Sequence, residues 1–168
     1  MKQRTLLTTL ILSIFIITSV YMVIADNQYW IISNVNLIFH EAGHVVFSFF
    51  GSFMHALGGT VLELTIPTIC YLYFRYREHI PGQVFSLWWL TTSLYGISIY
   101  MADARARVLP LLGGQEGHDW AYLLGRLGLL KQDLLLSRLF IVVALCIVVY
   151  MVILVHRYWE LEKGRMVS

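Results

Sequence analysis

Residues 30–51 read WIISNVNLIFHEAGHVVFSFFG, an apolar run interrupted near its middle by His40, Glu41 and His44. A helix needs about 20 apolar residues to cross the hydrocarbon core of a bilayer, and this stretch has the length and character for it. Ionisable side chains deep in such a span cost at least about 2.5 kcal/mol each on the mildest scale. Three of them within five positions therefore require a compensating partner, and a bound cation is the simplest one.

The spacing fits that partner. Residues four apart lie nearly above one another on a helix, so His40 and His44 project from one face and can offer two imidazole nitrogens to a single Zn²⁺. Glu41 points about 100° away around the helix, placed to reach a water at the metal without ligating the metal itself. This is the HExxH arrangement, in which two histidines hold zinc and the glutamate serves as general base. The bland reading of the same residues is a polar seam, with His and Glu hydrogen-bonded between neighbouring helices.

The rest of the chain belongs to the same setting. Of its 168 residues 58% are hydrophobic and 13% charged, and the mean hydropathy is +0.70, outside the usual mix of a soluble domain. The net charge of +2 comes from basic residues at segment ends, with no stripe of the kind that binds nucleic acid. Cys70 and Cys146 each sit in an apolar run without a partner at ligand spacing, so they read as small buried hydrophobes.

Five apolar runs are long enough to span: 6–24, 30–50, 57–76, 84–101 and 134–155. The expected fold is all-α, a polytopic integral membrane bundle of about five transmembrane helices forming a single membrane-embedded domain over residues 1–168. The first run can also be read as a secretory signal, because VIA before Asp26 resembles a cleavage site, but its apolar part is longer than a usual signal core. With a cytoplasmic N-terminus, Lys2, Arg4, Arg105, Arg107, Arg126, Lys131 and Arg138 fall inside, against Arg75, Arg77, Arg157, Lys163 and Arg165 outside. That division puts the loop 102–133 on the cytoplasmic side. Within it LPLLGGQEGHDW is too rich in Pro and Gly to be helical, and Asp119 can then cap a short interfacial helix with Trp120 at headgroup level.

A catalytic zinc usually has three protein ligands and one open position. The extended motif HExxHxxGxxH is excluded, because Phe47 and Phe50 stand at its glycine and third-histidine positions. Four residues are candidates for the third ligand. His118, in the glycine-rich loop, leads; Asp119 beside it, Glu63 in the third run and Asp103 at the end of the fourth are the alternatives. Glu63 and His44 come out at similar depths if the third helix starts near Leu57, and an intramembrane carboxylate of this kind can also orient a histidine rather than bind metal.

The stretch FHEAGHVVFSFFG, a zinc motif inside a hydrophobic helix of a small multispanning chain, resembles the site-2 protease family of intramembrane metallopeptidases, in particular its small M50B-like branch. The resemblance implies hydrolysis of a peptide bond within or beside the membrane, with His40 and His44 as zinc ligands and Glu41 as general base. The family's third ligand is usually an aspartate in an Asp-Gly motif on a later span. This chain has no Asp-Gly, and its nearest substitutes are GHDW at 117–120 and ADA at 102–104.

The expected activity is that of a zinc metallopeptidase of a bacterial plasma membrane, acting on a membrane protein or peptide and dependent on Zn²⁺. Two other readings use the same residues. One is a membrane zinc hydrolase acting on a lipid amide or ester; the other is a non-enzymatic metal-binding or transport protein, which would favour polar residues spread over successive spans rather than gathered at one level.

Overall fold

The computed structural model describes residues 3–25, 31–111 and 117–167. Among these the chain forms α1 (Gln3–Ala25), α2 (Ile31–Phe47), α3 (Ser52–Tyr76), α4 (Ile80–Ala102), α5 (Asp119–Arg126) and α6 (Asp133–Val167), with short 3₁₀ turns after α2 and before α6 and no strand. The all-α expectation holds. Three helical stretches, Thr5–Ala25, Ser52–Tyr76 and Leu130–Arg165, are long and apolar enough to cross a membrane, which marks the chain as a membrane protein. Two helices that the sequence reading counts as spans, α2 and α4, are not among them.

The position of α4 explains its milder hydropathy. It is the central helix, packed against α1, α2, α3 and α6, and Ser86, Thr91, Thr92, Ser93 and Ser98 are all buried in it. A helix surrounded by protein needs no lipid-facing surface. Its hydroxyls are satisfied largely within the helix: Ser86 donates to the carbonyl of Gly82, Thr91 to Leu87 and Ser98 to Tyr95. The outer helices reverse the pattern, with exposed Leu10, Ile14 and Ile17 on α1 and Leu135, Leu139 and Val142 on α6. Such rows suit contact with lipid chains.

Helix α3 packs tightly back along α2. A Cβ on Gly43 would overlap the carbonyl of Gly58, and one on Gly58 would come within 2.6 Å of the Gly43 oxygen. Small residues at these positions let the two backbones touch. The connection is short because Gly51 turns the chain at φ +89°, a conformation open to glycine at little cost. Consequently α3 starts at Ser52 rather than near residue 57. Glu63 then lies about 17 Å along α3 and His40 about 15 Å back from Phe50, so Glu63 meets His40, one turn away from the expected His44.

The helix directions depart from the expected alternation. Phe15 packs on Phe85, and Trp88 donates to Thr18, so α1 runs in the same sense as α4. Asn36 pairs with Trp89 and Thr92, and His40 lies beside Tyr100, so α2 runs in that sense too. Helices α3 and α6 run the other way: Phe74 of α3 packs near Gly82, and Met151 of α6 clusters with Val84. The alternating series is therefore α2, α3, α4 and α6, with α1 laid alongside. Thr5 bonds Glu162 at one end of α6, whereas Arg105 pairs with Asp133 at the other, about 43 Å away. The start of α1 and the loop 102–133 thus lie at opposite ends of the bundle, not on one side as the charge distribution predicts. Residues 26–30, which include the possible cleavage position at Asp26, and residues 112–116 of the glycine-rich loop lie outside the described residues.

The short helix α5 is present, but its N-cap is His118 rather than the expected Asp119, which is its first residue, and it is docked rather than afloat at the interface. Trp120, Ala121, Leu123 and Leu124 are buried against Ala56, Ile97 and Met101, and the Trp120 ring meets Phe140 edge-on at 6.2 Å. Leu127 is exposed. The residues that follow the apolar run 134–155 continue as the last turns of α6.

Candidate metal centre

His40 and His44 stand one turn apart on α2, with ring centroids 4.8 Å apart. Each has its Nδ1 committed outward. Glu63, as a carboxylate, accepts a hydrogen bond from His40 Nδ1 at 3.1 Å. His44 Nδ1 donates to the carbonyl of His55 at 2.8 Å, and His55 Nδ1 donates back to the carbonyl of His44 at 2.9 Å. A carbonyl can only accept, so the Nδ1 of His44 must carry a hydrogen; an ionised Glu63 imposes the same on His40, whereas a protonated one would donate to it.

With Nδ1 protonated, the Nε2 atom of each neutral ring bears a lone pair, and both face Asp119. The Oδ2 of Asp119 lies 3.2 Å from His40 Nε2 and 3.3 Å from His44 Nε2. The three ligand atoms fall within 4.8 Å of one another. Three acceptors can converge this closely only around a cation or with an additional proton on the rings. In the protonated form, the ring N–H groups bond Asp119. Burial alone would push its carboxyl up, but the hydrogen bonds from His40 and His44 outweigh that and hold it down to about 2.

The geometry also fits a metal. Ligands about 2.0–2.1 Å from a tetrahedral zinc stand about 3.3 Å from one another. The two distances to Asp119 Oδ2 match that edge. A carboxylate behind one metal-facing imidazole and a backbone carbonyl behind the other are the usual partners that fix ring orientation and tautomer in zinc sites.

Asp119 reaches the histidines from the first turn of α5. Its backbone N–H donates to Tyr100 Oη at 2.9 Å, and the Tyr100 hydroxyl donates to Asp119 Oδ2 at 3.1 Å. Tyr100, on α4, thus holds both the backbone and the side chain of this residue.

His118, the leading sequence candidate, is directed elsewhere. Its Nδ1 accepts the Ala121 N–H at 3.3 Å and caps α5, which leaves the hydrogen on Nε2, 3.5 Å from Asp103 Oδ2. Neither nitrogen offers a lone pair to the cluster. Burial holds the His118 imidazole below its ordinary value, which favours this neutral form, and its ring stacks on Tyr100 at 4.4 Å. Asp103 is likewise occupied: it is buried and accepts the N–H groups of Val108 and Leu109, tying down the turn after α4. Glu63 lies behind His40 rather than among the three convergent atoms. The structure therefore gathers His40, His44 and Asp119, and neither His118, Asp103 nor Glu63 joins them.

Glu41 is exposed to a cavity of about 500 Å³ whose wall also includes His40, His44, His55, Tyr100 and Asp119. Neither His55, which reads from the sequence as an interfacial histidine, nor Tyr100 stands among the sequence candidates for the site. His55 is eleven residues from His44 and Tyr100 nineteen from Asp119, so no motif spacing connects either to the site. No known protein family, curated protein or solved structure matches this chain.

Proposed function

We propose that the chain is a zinc-dependent membrane hydrolase of peptide bonds, a metallopeptidase of the site-2 protease kind, with His40, His44 and Asp119 as ligands. The observation that carries this reading is the convergence of two imidazole Nε2 atoms on one carboxylate oxygen while both Nδ1 atoms are tied to acceptors. A polar seam would need an N–H on the rings to bond Asp119; with both Nε2 atoms deprotonated the three atoms are acceptors gathered beside a cavity, the set a cation would hold. The alternating helices α2, α3, α4 and α6 would cross the bilayer, and α1 would pack along α4 and α6.

Zinc held by His40, His44 and Asp119 would supply Lewis-acid chemistry, lowering the pKa of a water and polarising the scissile carbonyl. Glu41, facing the cavity one residue from His40, takes the proton of the attacking water and returns it to the leaving amine. Glu63 and the His55 carbonyl keep the imidazoles in the tautomer that presents Nε2. Tyr100 keeps Asp119 in place.

The test is purification in detergent, measurement of zinc per chain, and peptide cleavage by wild type and Glu41→Gln. The expected result is about one zinc in both proteins, with cleavage by Glu41→Gln reduced roughly 10²–10⁴-fold, the range for loss of a general base. A folded wild type that takes up no zinc overturns the reading.

A further inference from the structure

The cavity extends well past the metal cluster, along the seam between α2 and α4. Ser33, Leu37 and His40 line it from α2, while Thr92, Gly96 and Tyr100 line it from α4. Positions 92, 96 and 100 share one face of α4, and 33, 37, 40 and 44 share one face of α2. Because the two helices run in the same sense, these faces form parallel walls over about 12 Å, from Thr92 to Tyr100. An extended peptide covers that length with about four residues.

Two side positions in this groove are unusual. At Gly96, a Cβ would meet no atom within 4 Å, whereas Gly43 and Gly58, between α2 and α3, are pressed against each other's backbone. Helix packing therefore does not require the glycine; the open space is the groove itself. Asn34 is exposed to the cavity, and its side chain makes no hydrogen bond among the described residues. Asn36, by contrast, is spent on Trp89 and Thr92 and only builds the wall. A free amide offers one donor face and one acceptor face, the complement of a peptide unit and of nothing in an acyl chain. It lies six residues before His40, about 9 Å, which is close to three residues of extended substrate.

We propose that the α2–α4 groove carries an extended peptide segment to the His40–His44–Asp119 cluster, and that Gly96 sets the size of the substrate side chain admitted there. The inference rests on the peptidase reading and adds to it the substrate's path and a specificity-determining position. Asn34 reads the substrate backbone. Side chains at residue 96 larger than hydrogen narrow the groove without touching the metal ligands.

The experiment has two arms. In a Cys70→Ser, Cys146→Ser background, Gly96→Cys is treated with a small thiol-reactive methanethiosulfonate, with and without a peptide substrate. Separately, Gly96→Leu is compared with wild type on peptides carrying either a small or a bulky residue near the cleaved bond, with zinc content as the measure of an intact fold. The expected results are labelling of the introduced thiol that the peptide slows, and a rise of about 10–200-fold in the small-over-bulky ratio of kcat/KM, the range for a tight apolar contact. A cleaving, zinc-loaded protein in which that thiol does not react, or in which the ratio stays at the wild-type value, overturns the groove assignment alone. A wild type that holds zinc but cleaves no peptide, or that hydrolyses a lipid amide instead, overturns the peptidase reading and the peptide path together.

Discussion

The two halves of the proposed metal centre are built by different means. The α2–α3 half places its residues through helix geometry. Four-residue spacing stacks His40 over His44, and the glycine contacts fix the register of α3, which brings Glu63 behind one ring and the His55 carbonyl behind the other. The α4–α5 half depends on a loop and a docked eight-residue helix. There the adjacent residues His118 and Asp119 part company, one turned to Asp103 and the other to the histidines. A helical half is determined by spacing, whereas a loop-borne half is determined by what its helix packs against.

Exchanging the roles of His118 and Asp119 should test this contrast with the largest effect. Loss of a metal ligand exceeds the 10–100-fold typical of an outer partner, so zinc affinity of Asp119→Ala, measured by competition with a chelator, should fall by more than about 100-fold. His118→Asn retains a good helix cap and should keep one zinc per chain at near wild-type affinity. The opposite pattern, zinc lost from His118→Asn and kept by Asp119→Ala, would hand the third position to His118 and break the comparison.

Glu63→Gln tests the helical half. The glutamine can still accept from His40 Nδ1 but lacks the charge, so zinc affinity should fall about 10–100-fold while helix content is unchanged. An unaltered affinity would mean that the ring is oriented by packing alone. Gly59 is then the residue to blame or credit, since a Cβ there would lie 2.7 Å from His40 Nε2.

How much of this was legible in the sequence follows from the same contrast. HExxH gives His40, Glu41 and His44 without any tertiary information, and apolar run lengths give an all-helical membrane chain. Depth along two antiparallel helices comes close to pairing Glu63 with a histidine, missing by one turn because Gly51 lets α3 start at Ser52. The choice between His118 and Asp119 has no such rule. They sit about 100° apart on the start of a helix, and which of them faces His40 and His44 depends on how Trp120, Leu123 and Leu124 are buried against α3, α4 and α6. Helix direction is equally hidden. Five apolar runs read as five alternating spans, yet the Phe15–Phe85 and Thr18–Trp88 contacts align α1 with α4.

The smallest effect belongs to Tyr100, and it bears most directly on how the loop-borne half is held. Its hydroxyl accepts the Asp119 N–H and donates to Asp119 Oδ2, so it constrains the proposed ligand twice without being one itself. Tyr100→Phe keeps the ring and its stack on His118 and removes only those bonds. A typical hydrogen bond contributes about 0.5–1.5 kcal/mol net, and only the one to Oδ2 acts directly on the metal-facing oxygen, so zinc affinity should drop by about tenfold or less, and the fold, read by circular dichroism, should be unchanged. Tyr100→Leu removes the stack as well and should weaken zinc further, because His118 then loses the surface that helps hold α5 in place. If the two variants weaken zinc equally, the hydroxyl is what holds Asp119; if Tyr100→Phe matches wild type and only Tyr100→Leu weakens it, docking of α5 is enough and the two halves differ more than the hydrogen bonds imply.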